Sequence, residues 1–321
     1  MVKERLLASL KGLATGDAIG KQTETLSRDD VLRWYPSGIR GFEGTPGAVV
    51  PRYVGNRKRE WRIGETTDDT ERTIAVARAI LRDGDVCHVS VGRELLACTK
   101  CVHPGLPSLW AFHQAADPAR VTNQHDGCGA AVRVAPVGML YCSHRLDEII
   151  RGAREASIST HGGPLALAAA AATAVAVSAA LDGASADEIM ELAQRAAEQA
   201  ECERSGSDHS AFAEAMRLMH ADVRQWRELD ASNVAATYFP DNPLTIVPLA
   251  ITVATVMDSA QAAILLAANV GGDSDSVASI AGAILGARCP DTIDDEWYAV
   301  VHSVNGPDLV AIADNLAELR R

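Results

Sequence analysis

Aromatic residues are scarce in this chain of 321 residues: phenylalanine, tyrosine and tryptophan together make up 4%. Hydrophobic residues nevertheless reach 47%, so alanine must supply much of the interior. That composition favours closely packed helices over a sandwich of aromatic and β-branched strands. Positive charge is also short. Thirty Lys and Arg face 42 Asp and Glu, a formal charge of −12 with pI near 5.2. This charge argues against a general polyanion-binding surface, and general nucleic-acid binding is not expected; a local basic pocket for one phosphorylated ligand remains open. The seven cysteines, at 87, 98, 101, 128, 142, 202 and 289, are odd in number and scattered. The opening Met1-Val2-Lys3-Glu4-Arg5 leads into an amphipathic stretch without a continuous apolar h-region. Both features predict a reduced, cytoplasmic protein. The one stretch that mimics a membrane span, 164–181, is dominated by alanine with threonine and serine. It is expected to be a buried core helix, with no membrane partner.

No Ser/Gly/Pro-rich linker, low-complexity tail or convincing series of alternating strands divides the chain. Apolar residues at helical spacing instead predict helices over 4–14 (stopping at Gly16), 68–81 (capped by Thr67), 89–101, 130–141, 146–156 and 164–181. Further helices are predicted over 185–200, 210–228, 244–257, 260–268, 276–287 and 309–319. One all-α domain over 1–321 is expected. The long irregular region 37–65, with Gly38, Gly41, Gly44, Pro46, Gly47 and Pro51, reads as a lid or binding edge. Gly282 and Gly286, four apart, permit close helix packing.

Two acid-rich turns carry the chemistry: Thr67-Asp68-Asp69-Thr70 and Gly271-Gly272-Asp273-Ser274-Asp275-Ser276. Taken alone, the first is simply a helix cap, where free N–H groups and the positive dipole end favour carboxylates. In the second, Gly271-Gly272 lets the backbone bend sharply and approach a ligand. Asp273 and Asp275 can face one cation from an extended turn, with Ser276 opening the next helix and adding a hydroxyl. Together the turns offer only oxygen ligands, which suit Mg²⁺ or Mn²⁺ better than zinc, and so point to a metal-dependent hydrolase. A D-x-D-x-[TV] phosphatase loop over 273–277 should follow a strand, but 260–269 reads as helix. An EF-hand fails at Val277 and Ala278. Cys98-x-x-Cys101 with His103 lacks a second ligand pair for zinc.

Further motifs stand in order around these turns: Gly12-Leu13-Ala14-Thr15-Gly16-Asp17-Ala18-Ile19-Gly20 followed by Glu24, then 127–136 beginning Gly127-Cys128-Gly129, then Thr160-His161 before Pro164. With them the chain resembles the ADP-ribosylglycohydrolases, which include the dinitrogenase-reductase-activating glycohydrolase and the ADP-ribosyl-acceptor hydrolases. The resemblance implies a compact all-α bundle with two Mg²⁺ or Mn²⁺ ions in a central cleft. It implies Thr67, Asp68, Asp69, Asp273, Asp275 and Ser276 as metal ligands, and Glu24 as the catalytic acid/base helped by the metal-bound Asp69. Gly127 and Gly129 would let the backbone approach ADP-ribose, and His161 would lie near the diphosphate or distal ribose. Two departures stand out. Cys128 replaces the usual Asn of the central loop, and Lys21-Gln22-Thr23 lacks the Pro often found before the Glu.

The implied reaction is hydrolysis of the glycosidic bond between ADP-ribose and an acceptor such as a protein arginine or serine. A free ADP-ribosyl small molecule as substrate, or a silent ADP-ribose binder, are the alternatives. Other residues read two ways. Asp17 either orients the metal ligands or binds helix-end backbone; Arg133 contacts ligand or pairs internally with an acid. Asp126 is an extra acid/base group at the ligand or a solvated loop acid. His161 precedes a helix start where phosphate can bind amides. Trp110, Phe112, Tyr238 and Phe239 are candidates for adenine stacking, with core packing the default.

Overall fold

Glycines at 12, 16 and 20 recur every fourth residue and therefore share one helix face. The computed structural model of the protein describes residues 2–44, 50, 52–54, 57–306 and 308–321. Its helices are α1 (Val2–Gly20), α2 (Arg28–Trp34), α3 (Asp68–Asp83), α4 (His88–Ala97), α5 (Pro107–Ala115), α6 (Ala135–Leu140), α7 (Leu146–Ser157) and α8 (Pro164–Asp182). They continue with α9 (Ala186–Ser205), α10 (Ala211–Val223), α11 (Ala231–Thr237), α12 (Pro243–Val256), α13 (Ala260–Val270), α14 (Ser274–Arg288), α15 (Asp295–Asn305) and α16 (Leu309–Leu319).

α1 and α14 make the most extensive helix–helix contact, antiparallel and with almost no side chain between them. A Cβ added at Gly12 would fall 2.1 Å from the Gly282 carbonyl oxygen, and one at Gly16 2.2 Å from that of Ala278. Gly286 likewise faces the Ala8 carbonyl at 2.3 Å. α1 therefore runs past the expected stop at Gly16, because its glycines serve as packing surface and not as a terminator. α8, apolar on every face, is 89% buried within the fold. One contiguous hydrophobic cluster extends from Leu6 to Leu316, so the fold is all-α around a single core.

Several boundaries differ from the sequence expectation. The helix over 130–141 divides into a 3-10 turn (Cys128–Arg133) and α6, since Pro136 has no N–H to donate and its ring excludes the carbonyl four residues back. α4 ends at Ala97, and Cys101 takes a left-handed conformation (φ 54). α10 ends at Val223, short of the expected 228, and Asp230 then caps α11 through the Ser232 and Asn233 N–H groups. α2, α5, α11 and α15 were not expected: each buries only one or two residues, so no apolar stripe marks them in the sequence. α14 begins at Ser274, two residues early.

The irregular region 37–65 contains one antiparallel ribbon, β1 (Arg52–Val54) and β2 (Arg57–Arg59), with Arg52 opposite Arg59. Pro46, Gly47 and Pro51 lie outside the described residues. Its described residues do not border the cavity onto which Glu24 opens; they clamp the chain leading to Glu24. Gln22 Nε2 donates to the Gly41 carbonyl and the Gly44 N–H to Gln22 Oε1, each at 2.8 Å. Lys21 donates to the Glu65 carbonyl and lies over the Trp61 ring at 4.3 Å. The expected lid is, in these residues, a buttress.

Candidate active site

The two acid turns are the N-termini of α3 and α14, and the fold brings them together. Ser276 Oγ donates to Asp69 Oδ2 at 3.2 Å, a contact between residues 207 apart in sequence. The carboxylates of both turns sit where unpaired N–H groups and the helix dipoles favour negative charge.

Local packing sets each turn. Thr67 caps α3, its hydroxyl accepting from the Asp69 N–H at 3.1 Å. Asp17, fully buried on α1, accepts from the Thr67 N–H at 2.9 and 3.0 Å and from the Thr70 N–H at 3.1 Å. Both readings of Asp17 thus coincide: it binds helix-end backbone and thereby orients the first turn. In the second turn Gly271 and Gly272 have φ of 88 and 70, and a Cβ on them would meet the Leu26 and Pro240 carbonyls at 2.4 and 2.5 Å. Only glycine meets both demands. The Thr25 N–H donates to the Gly272 carbonyl and the Gly272 N–H to the Leu26 carbonyl, each at 2.8 Å. This staple holds Glu24 beside the second turn. Asp275 and Ser276 lie inside the first turn of α14, not on an extended turn before it.

These groups border one cavity of about 590 Å³. Seven carboxylates face it: Glu24, Asp68, Asp69, Asp126, Asp241, Asp273 and Asp275. Ser276, Gly127, Cys128, Gly129, His161 and Gly272 also border it; of the residues proposed from sequence, Thr67 does not. Among the aromatic candidates only Phe239 reaches the wall. Phe112 is core, and Tyr238 stacks on Trp226 with ring centroids 6.0 Å apart while donating to Asp222.

Crowding acids out of water raises their pKa. Burial, reinforced by Asp273 and Asp68, pushes Glu24 up to about 8. Burial and neighbouring carboxylates hold Asp69 and Asp275 well above the usual range. Cys128 Sγ donates to Asp273 Oδ2 at 3.0 Å, and burial beside that acid keeps the thiol protonated.

His161 is oriented from behind. Arg133, buried, donates to the Ala156 carbonyl at 3.0 and 2.9 Å and to Thr160 Oγ1 at 2.8 Å. Its partners are therefore carbonyls and a hydroxyl, where an acid was one expectation. Thr160 Oγ1 in turn lies 2.8 Å from His161 Nδ1, leaving Nε2 to face Ser108 Oγ at 3.3 Å. Burial and the nearby guanidinium groups of Arg133 and Arg72 keep the imidazole neutral. Gly127 and Gly129 stand against this ring: a Cβ at Gly129 would be 3.0 Å from His161 Cε1.

The helix start after His161 is not an open anion site. Asp126 Oδ1 accepts from the Leu165 and Ala166 N–H groups at 2.8 and 3.3 Å and caps α8 itself. The amides expected to meet phosphate are already occupied, and Asp126 is a cap on the cavity wall instead of a solvated loop acid. Sequence reasoning passed over Arg72, Ser108 and Thr25, all on that wall. Arg72 had a signal, since it stands one helical turn after Asp68.

The sequence profile described as ADP-ribosylglycohydrolase matches residues 1–321. The chain belongs to the ADP-ribosylglycohydrolase family. It is 28% identical to an uncharacterized protein of Escherichia coli K12, YegU, over 100% of this chain and 98% of that one. It is 23% identical to the ADP-ribosyl-(dinitrogen reductase) glycohydrolase of Rhodospirillum rubrum, over 93% of this chain and 90% of the relative. A solved structure, an ADP-ribosylglycohydrolase-related protein complex, superimposes with a TM-score of 0.72 at 22% identity, covering 100% and 99% of the two chains. The ADP-ribosylglycohydrolase fold, all-α, is therefore shared.

ADP-ribosylglycohydrolases are hydrolases of ADP-ribose glycosidic bonds and are generally metal-dependent. The donors here suit a hard cation in kind: carboxylates and a hydroxyl, with Asp69 and Asp275 raised in pKa by burial and by like charge that a cation would relieve. They are not yet arranged as a finished coordination sphere. Asp68 is paired with Arg72 and Asp273 with Cys128, and among the described residues no three His, Cys, Asp or Glu groups already form a metal-holding cluster. In each of Asp68 and Asp273 the Oδ2 oxygen is the one engaged by the present partner, and an incoming ion would compete for it.

Proposed function

We propose that the protein hydrolyses the glycosidic bond joining ADP-ribose to an acceptor such as a protein arginine or serine, with two Mg²⁺ or Mn²⁺ ions. The observation that carries this reading is the Ser276–Asp69 contact, which unites both acid turns on the cavity wall that Glu24 also borders. A cavity of about 590 Å³ also falls within the usual range for small-molecule sites.

Thr67, Asp68, Asp69, Asp273, Asp275 and Ser276 would hold the ions, which when bound lower the pKa of a water and fix sugar hydroxyls. Thr67 contributes from behind the wall, its hydroxyl already engaged as the α3 cap. Glu24, which burial and the neighbouring acids push up to about 8 in the metal-free protein, is the carboxyl on this wall that serves as general acid/base at the breaking bond. Asp69 is the second carboxylate able to take a proton there. Gly127, Gly129 and Gly272 let ligand approach backbone, Cys128, Asp126 and His161 shape the wall around it, and Phe239 offers a face for adenine.

A second reading, a free ADP-ribosyl small molecule as substrate, is favoured by Cys128, a thiol committed to Asp273 where the family commonly carries an amide. A silent binder would need neither Glu24 nor the full acid set. All seven cysteines are free, in keeping with a cytoplasmic location. Arginine-, serine- and acyl-linked ADP-ribose, each with Mg²⁺, Mn²⁺ or a chelator, separate these readings. Binding without turnover of any member would leave the silent binder; turnover undiminished by chelation would remove the metals.

A further inference from the structure

We propose that Arg72 is an internal counter-ion of Asp68 that is freed, when Asp68 takes up a divalent ion, to hold a phosphate group of the substrate. This rests on the ADP-ribose reading for the identity of the ligand, but not for the competition at Asp68.

Arg72 follows Asp68 by four residues on α3, the spacing that places both on one face, and its Nη2 is ion-paired with Asp68 Oδ2. The residue is 3% exposed. It is the one Arg or Lys among the described residues bordering a cavity faced by seven carboxylates. Its Nε finds no hydrogen-bond acceptor among the described residues, an uncommon condition for a buried guanidinium with five N–H groups to satisfy. On its other side lies Gly129, where an added Cβ would sit 3.6 Å from Arg72 Nη1 and 3.2 Å from His161 Nε2. Ser108 Oγ is 3.3 Å from that same Nε2. Arg72, His161 and Ser108 therefore gather hydrogen-bonding groups around one glycine, on a wall that is otherwise acidic.

A carboxylate shared between a guanidinium and a divalent cation binds each less well in the presence of the other. Once released from Asp68, the Arg72 fork matches the oxygens of a phosphate, which a lysine ammonium cannot do in two places at once. With the α8 amides already capped by Asp126, Arg72 is the remaining strong donor for such a group. Cation and phosphorylated ligand then bind cooperatively through one side chain.

Calorimetric titration of the full-length protein with Mn²⁺, and with ADP-ribose or adenosine at saturating Mn²⁺, tests this. For Arg72→Met, Mn²⁺ affinity without nucleotide is expected to rise about tenfold and ADP-ribose affinity to fall about tenfold, with adenosine unchanged. Arg72→Lys keeps the charge and guards against loss of fold, checked by circular dichroism; it is expected to hold Mn²⁺ near the wild-type affinity and still bind ADP-ribose more weakly. Unchanged or weaker Mn²⁺ binding by Arg72→Met overturns the counter-ion role, and unchanged ADP-ribose binding in both variants overturns the phosphate contact. Wild-type protein that takes Mn²⁺ but not ADP-ribose overturns the ADP-ribose reading and the phosphate contact together, and the Mn²⁺ titration then decides the counter-ion role alone.

Discussion

The seam between α1 and α14 and the cavity at its end use the same two helices under opposite rules. Along the seam, backbone meets backbone through Gly12, Gly16, Gly282 and Gly286, with no charge between them. At the last contact, a Cβ on Gly20 would lie 2.6 Å from Asp275 Cα, inside the acid turn itself. One helical turn therefore separates a dry, close-packed joint from carboxylates that raise one another's pKa. The joint supplies the rigidity that the crowded acids lack. Repelling acids stay in register because the helix that carries Asp275 cannot shift against α1 without backbone collision.

The sharpest test of this contrast removes an acid. Asp275→Asn or Glu24→Gln is expected to lower turnover of an ADP-ribosylated substrate about a thousandfold. In chelator, urea unfolding of Asp275→Asn is expected to show higher stability than wild type, because the cost of burying an ionisable acid beside other carboxylates is gone. Unaltered turnover in both variants would break the site half of the comparison. Gly16→Val attacks the other half, placing a side chain where the Ala278 carbonyl lies 2.2 Å away; a loss of about 3 kcal/mol is expected from urea unfolding. A midpoint within error of wild type would mean that the seam is not the joint described here.

A pH series follows. Glu24 has a folded pKa of about 8 against a reference of 4.5, so between those values the folded state holds a proton that the unfolded chain has released. Its contribution to stability is complete below about 4.5 and is lost as pH rises through about 8. The melting temperature of chelated protein is expected to fall across that window, with a shallower fall in Glu24→Gln. An equal slope in the two proteins contradicts the assignment. The smallest expected effect is at Asp126: replacement by Ala removes the α8 cap and about 1 kcal/mol of stability, read from the urea midpoint, whereas Asn retains most of it.

The sequence announced some of this plainly. The acid turns were legible because two groups of oxygen-only donors each open an apolar helical run within an ordered series of motifs, and Thr67 is the observed cap of α3. The motif order led to the right family and fold. Other features were misread for identifiable reasons. Gly16 looks like a helix stop because isolated glycine is a weak helix former; only the presence of Ala278 across the seam turns it into a requirement. Asp126 looks like a loop acid because the α8 amides it caps begin 39 residues away. Residues 37–65 look like a lid, and the hydrogen bonds of Gln22 to Gly41 and Gly44 make their described part a clamp.

Composition and periodicity by themselves determined that this chain would be helical, alanine-packed and equipped with oxygen ligands, since those properties depend on residue type and on neighbours within a few turns. The meeting of Ser276 with Asp69, the closeness of Arg72 to the Gly129 loop, and the neutral His161 beside it were decided by tertiary structure alone. Each is a contact or a desolvation between segments far apart in the chain, and short-range pattern carries no record of which distant surfaces will exclude water from one another.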